Sequence, residues 1–267
     1  MKRLCAAAAL LLVLTGCARM EIPGTPEAPE SAAETTVPTE TSATDAPPEP
    51  STQAASPDVD ETAKARDLYI KTLTDLHDRK LLPNGNALAV VGDLEANRFA
   101  VCDIDGDERE ELLLEITQAD VNDTFTAVYD MDSDGDLRRE VRYAAQVSFW
   151  SGGIVIAEYP DAAESEQDFI PYAAAQYDAD QDVYTEFAYV SAIDRAKLAA
   201  AGLLDEYPED ADTSSTGRVY CIRGDNPVDV TEYEAWYASW HTELTAQDVP
   251  YQTLTAEHIE ELTKEGQ

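Results

Sequence analysis

Ala65, Tyr69, Leu73 and Leu76 recur at intervals of three and four, the spacing that puts them on one face of a helix, and Leu82-Pro83-Asn84-Gly85 ends the pattern. Beyond it the apolar period changes to two. Strands are predicted near Phe99–Ile104, Glu111–Thr117, Phe125–Asp130, Leu137–Tyr143, Val147–Phe149 and Gly153–Tyr159, and again near Ile170–Tyr177, Val183–Val190 and Arg218–Ile222. Acidic or glycine-bearing turns of hairpin length join many of them, so an antiparallel meander is the natural topology.

Three further helices punctuate the second half. Ser191 with Asp194 reads as an N-terminal cap, and Gly202 is placed to stop the helix that follows. Thr231 and Glu234 form a capping box for a helix carrying Tyr233, Trp236, Tyr237 and Trp240. That aromatic stripe has the spacing of a helix face anchored to a sheet, although stacking on sugars would use the same residue types. The last helix takes Thr255 as its cap, with Leu254 and Ile259 at staple positions. The expected fold class is α+β, mainly an antiparallel β meander in one dominant sheet, with an N-terminal helix and packed C-terminal helices. Residues 61–267 have the length of a single domain.

The segment ahead of that domain is different. The chain opens MKRLCAAAALLLVLTGC: Lys2 and Arg3 precede an apolar run from Leu4 to Leu14 that is too short to span a bilayer. Leu14-Thr15-Gly16-Cys17 resembles the lipobox of bacterial lipoproteins. That resemblance implies a signal peptide over residues 1–16 and acyl chains, palmitate among them, on the sulfur and new N-terminus of Cys17. Residues 17–60 are rich in Pro, Thr, Ser and Glu, with no lysine or arginine between Arg19 and Lys64. Such a composition predicts a disordered spacer. Its reach is roughly 35 Å as a flexible coil and about 100 Å or more if stretched.

The formal net charge of −36 becomes −38 once Lys2 and Arg3 leave with the signal. So acidic a surface repels nucleic acid phosphates and anionic lipid headgroups, so neither is an expected partner, and it favours divalent cations, basic proteins or simple solubility.

Candidate chemistry concentrates in the acidic turns. Asp103, Asp105 and Asp107 occupy alternate positions around Gly106, the peptide oxygen of Arg109 would be at the seventh place, and Glu111 stands at the ninth. Calcium takes six to eight oxygens, and a short loop supplies them best in this order. The pattern D-x-D-G-D-x-x-x-E resembles the calcium loops of FG-GAP and VCBS-type repeats, where the loop links adjacent strands. It departs from them in Glu108, where a second glycine is usual, and in Glu111, where aspartate is commoner. A plain acidic hairpin is the other reading. Asp130, Asp132 and Asp134 match the opening of an EF-hand loop, but Arg138 and Val141 stand where later ligands belong, so they are weaker metal candidates in a hairpin turn. Asp178, Asp180 and Asp182 lack the glycine and read as turn residues. Cys102 and Cys221 are a possible disulfide in an exported protein, though two buried free thiols are the preferred reading.

There is no G-x-S-x-G elbow, phosphate-cradling glycine loop or H-E-x-x-H. The order of lipobox, spacer, short helix, D-I-D-G-D-x-x-x-E-L and terminal Leu-Thr-x-x-x-Ile helix resembles uncharacterised lipoproteins of Clostridia-type Gram-positive bacteria. The expectation is an extracytoplasmic lipoprotein, anchored to the cell membrane, with a calcium-stabilised binding or structural domain for an envelope ligand or protein. The alternative is an envelope hydrolase, for example on glycans, using paired carboxylates.

Overall fold

A computed structural model describes residues 59–120, 124–162, 169–224 and 226–265. The expected signal peptide, Cys17 and the expected linker up to residue 58 lie outside the described residues. Helix α1 (Val59–Arg79) comes first, followed by strands β1 (Arg98–Cys102), β2 (Glu111–Ile116), β3 (Phe125–Met131) and β4 (Leu137–Tyr143). Then come β5 (Gln146–Trp150), β6 (Ile154–Glu158), β7 (Tyr172–Asp178), β8 (Val183–Asp194), helix α2 (Arg195–Ala201) and β9 (Arg218–Ile222). Helix α3 (Val230–His241), the short β10 (Gln252–Thr253) and α4 (Ala256–Glu265) complete the chain. The fold class is α+β.

The meander runs as two antiparallel sheets rather than one dominant sheet. One has the order β10-β1-β2-β3-β4 and the other β5-β6-β7-β8-β9. They part at Ala144–Ala145, where β4 does not pair with β5. The burial pattern gives the reason. In β2, Leu112 and Leu114 pack with Tyr69, Leu73 and Ile259 of the helices, while Leu113 between them packs with Phe149 and Val155 of the second sheet. All three leucines are fully buried, each contributing roughly 1.5–3 kcal/mol. One sheet backed by helices would leave Leu113, Ala100 and Val128 in water. A second sheet stacked on the first removes that exposure.

The outer face of the second sheet is covered in turn. Ile154, Ile156, Tyr172 and Val190 pack against Tyr233, Trp236, Tyr237 and Trp240 of α3, so the aromatic stripe anchors that helix to the sheet. The domain therefore has four layers: α1 with α4, two sheets, and α3. Burial on both faces explains why strands such as ELLLEI and YAAAQYD are almost continuously apolar instead of alternating.

Local signals at the helix ends fare differently. Asp194 caps α2 by accepting the Lys197 N–H at 3.0 Å, and Gly202 closes it at φ 75°. Ser191 stays within β8. The cap of α3 is Asp229 and not Thr231. Its carboxylate accepts the Glu232 N–H at 2.9 Å and also the Thr213 hydroxyl from a distant loop, a tertiary contact that local spacing does not reveal. Thr255 caps α4 through the His258 N–H at 3.2 Å, with Leu254 and Ile259 buried in the same core cluster. Strand β10 went unpredicted because two residues pairing with Arg98 and Phe99 carry no period.

Candidate metal centre

The β1–β2 hairpin ends its pairing at Cys102 and Glu111, leaving Asp103 to Glu110 as the connecting loop. Ile104 is buried in the core between the sheets and draws this loop over the sandwich's end. The loop's aspartates fold its backbone. Asp103 accepts the Gly106 N–H at 2.8 Å and the Glu108 N–H at 3.2 Å, while Asp105 accepts from Asp107 at 3.1 Å. Gly106 takes φ 90° and Glu108 takes φ 73°. Glu108 thus holds the left-handed conformation where the resembling loops carry glycine, at a cost of about 1 kcal/mol.

Asp103, Asp105 and Glu111 bring ligand oxygens within 4.8 Å of one another and can hold a metal ion. Their depths are graded. Asp103 is exposed, Asp105 is buried, and Glu111 is only 1 % exposed. One oxygen of Glu111 accepts the Ile104 N–H at 2.8 Å, and the other is buried with no hydrogen-bond partner. Burial, reinforced by Asp105, Asp107 and Glu140, pushes the Glu111 carboxyl up to about 10. Burial and the neighbouring Asp107 push Asp105 up to about 7. Carboxyls crowded in a dry space hold their protons unless a cation replaces them.

A second group adjoins the first. Asp130, Glu140 and Asp182 also bring ligand oxygens within 4.8 Å of one another, but arginines already occupy this group. Arg109 Nη2 lies 2.8 Å from Asp182 Oδ1 and 3.0 Å from Asp130 Oδ2, and Arg138 Nη2 lies 2.8 Å from Asp182 Oδ2 and 3.0 Å from Glu140 Oε1. The Asp130 contact is one of charge without hydrogen-bond alignment, since Oδ2 has no hydrogen-bond partner. Burial, with Asp105 and Asp130 nearby, pushes Glu140 up to about 8. Burial also presses on Asp182, yet the Tyr177 hydroxyl and the two arginines outweigh it and hold that carboxyl low.

Three elements converge here by identifiable local causes. Glu111 and Asp130 lie on the inner faces of β2 and β3, two residues from the buried Leu113 and Val128. An irregularity in the β3–β4 register at Val128/Tyr129 adds a residue to β4 and sends the Glu140 side chain inward. From the second sheet, Tyr177, Tyr184 and Asp182 close the space, with the Tyr177 hydroxyl 2.7 Å from Asp182 and 3.2 Å from Asp107. Gly153 lets the layers approach: a Cβ there would lie 2.8 Å from Tyr177 Cβ and 3.2 Å from the Asp105 carbonyl.

Of the donors expected from sequence, Asp103, Asp105 and Glu111 meet. Asp107 turns away, taking the Arg109 N–H at 2.8 Å and Arg109 Nε at 2.7 Å. Arg109 enters the centre as a guanidinium bound to the second group. Asp132 and Asp134 stay in the β3–β4 turn, where Asp132 accepts the Asp134 and Asp136 N–H groups at 3.0 and 2.9 Å, while Asp130 points into the sandwich. Asp178 caps its own turn through the Asp180 N–H at 3.0 Å. Cys102 and Cys221 are free thiols on different sheets, β1 and β9, so no disulfide joins them. Burial beside Glu111 pushes the Cys102 thiol up to about 12.

Glu140, Tyr177 and Tyr184 were missed from sequence, and Asp182, expected only as a turn residue, joins the second group. A glutamate within an otherwise Arg- and apolar-rich strand was the one available signal for Glu140. No protein-family model, characterised protein or solved structure gives a significant match to this chain. No helix among the described residues is long and apolar enough to cross a membrane.

Proposed function

We propose that this protein is an extracytoplasmic lipoprotein, anchored through Cys17, whose sandwich is held at one end by a calcium ion at Asp103, Asp105 and Glu111. The observation that carries the metal reading is the buried, unpartnered oxygen of Glu111 within reach of two aspartates. Two oxygens on one calcium are at most about 5 Å apart, which the 4.8 Å grouping satisfies. Calcium suits the all-oxygen set, and exposed Asp103 leaves a mouth for solvent ligands. Its role is structural: the ion ties the β1–β2 loop to the inner face of β2.

The anchor rests on the Lys-Arg, apolar run and Leu-Thr-Gly-Cys order. The acidic cleft of about 690 Å³ between α1 and the β3–β4 turn offers little to a hydrolase. Its innermost carboxylates, Asp130 and Asp182, are committed to Arg109 and Arg138.

Calcium titration by calorimetry on the chain carrying Cys17→Ser tests the centre. One saturable site with a rise in melting temperature is expected, and neither heat nor stabilisation at millimolar calcium would end this reading. For the anchor, Cys17→Ser should release the protein from membranes. Continued lipid labelling of that variant would refute the assignment.

A further inference from the structure

With 54 acidic and 18 basic residues in the chain, a basic side chain ordinarily finds a carboxylate. Arg98, Arg109, Arg138 and Arg218, on or beside the sheets, all do. Arg139 and Arg142 of β4 do not pair with any carboxylate among the described residues. The irregularity that turns Glu140 inward leaves these two arginines on the outer face, Arg139 across from Tyr129 and Arg142 across from Ala127. The Arg142 guanidinium sits 4.4 Å above the Phe125 ring, which fixes its position and leaves its charge unneutralised.

Both guanidiniums bear on the Tyr129 phenol. With Asn84 and Asn86 from the turn after α1 they line a cleft of about 610 Å³ that contains no carboxylate. A positive pocket is thereby set into a surface of net charge −36. Guanidinium forks match oxyanions, and one fork already satisfies a carboxylate. Two forks, a phenol and two side-chain amides supply donors for an anion with three or four oxygens.

The geometry points to a phosphate-binding site at Arg139 and Arg142, taking a phosphate group borne by a soluble molecule or a lipid headgroup. It stands apart from the metal reading, since these arginines face away from the carboxylates between the sheets.

Inorganic phosphate titrated calorimetrically into the full chain carrying Cys17→Ser tests it, beside the added double substitution Arg139→Gln, Arg142→Gln and a control with Arg98→Gln. Saturable binding at one site is expected, weakened at least about ten-fold in the double variant and unchanged by Arg98→Gln. A flat titration, binding retained by the double variant, or acetate binding as well as phosphate would overturn the proposal. Thermal melting checks that each variant is folded. Co-sedimentation with vesicles of phosphatidylglycerol in phosphatidylcholine separates the two sources. Retention lost in the double variant assigns the phosphate to a headgroup, and phosphate binding without retention assigns it to a soluble molecule.

Discussion

Glu111 accepts the Ile104 N–H at 2.8 Å through one carboxylate oxygen while its other oxygen is buried without a partner. The first contact pins the loop to β2. The second oxygen is the innermost ligand position of the proposed calcium site, and at neutral pH without metal it carries a proton, because burial pushes this carboxyl up to about 10.

Glu111→Gln keeps an acceptor for Ile104 and removes the titrating group. In chelator the variant should differ from the parent by less than about 1 kcal/mol. It should lose the calcium-induced rise in melting temperature altogether. A calorimetric scan with and without calcium measures both, and a calcium response of parental size would count against Glu111 as a ligand.

Stability in chelator should fall as pH rises. Asp105 goes from 3.8 to about 7 on folding, and Glu140 from 4.5 to about 8. Between those limits the folded chain retains protons that the unfolded chain has released, so each unit of pH favours unfolding. The benefit of these two groups is complete below about pH 4 and lost by about pH 8, and Glu111, raised from 4.5 to about 10, carries the fall on to about pH 10. Unfolding free energies from urea titrations at pH 5.5 and 8.5 should differ by on the order of 5 kcal/mol in chelator. Saturating calcium should flatten that slope, since the ion replaces the protons. An equal slope with and without calcium would contradict the model.

Arg109 bridges Asp107, Asp130 and Asp182. Arg109→Gln leaves Asp130, which is 2 % exposed, without its compensating charge. The expected loss is about 3 kcal/mol in urea unfolding. Asp182→Asn, at a third-exposed position, should cost less. A loss below about 0.5 kcal/mol for Arg109→Gln would show that the bridge carries little.

Gly153 and Gly152 form a matched pair. Both have positive φ, 65° and 76°, yet a Cβ at Gly153 would meet Tyr177 and Asp105, whereas one at Gly152 meets nothing within 4 Å. Gly152→Ala should cost about 1 kcal/mol from backbone strain alone. Gly153→Ala should cost about 1–3 kcal/mol more and weaken calcium binding, because the Asp105 loop must shift. Equal melting temperatures for the two variants would show that the close approach is unimportant.

What was legible beforehand was local. Strands β4 and β9 match their predicted limits, and most others differ by a residue or two, because a period of two and a turn residue are properties of neighbouring positions. Of the expected pair Ser191 and Asp194 only Asp194 caps its helix, while Thr255 was readable as a cap for the same reason as the strands. Asp229 was not, because the Thr213 hydroxyl that helps hold it lies sixteen residues away.

In the centre, Asp103, Asp105 and Glu111 could be named together because one hairpin holds them. Asp107 could not be separated from them, since its partners are the Tyr177 hydroxyl on the other sheet and the Arg109 guanidinium, which reaches on to Asp182. Glu140 depended on a register irregularity, which alternation alone does not disclose.

By itself, then, the sequence determined the helices, the hairpins, their turns and the carboxylate order of the first loop, all set by spacing along the chain. Tertiary structure decided that the meander folds into two stacked sheets. It also decided that Arg109 and Arg138 fill one acidic group while Glu111 keeps an open oxygen in the other, and that Arg139 and Arg142 face a cleft without carboxylates. Those outcomes depend on which faces meet when apolar surface leaves water. Strand periodicity names the faces of each strand, and only packing chooses their partners.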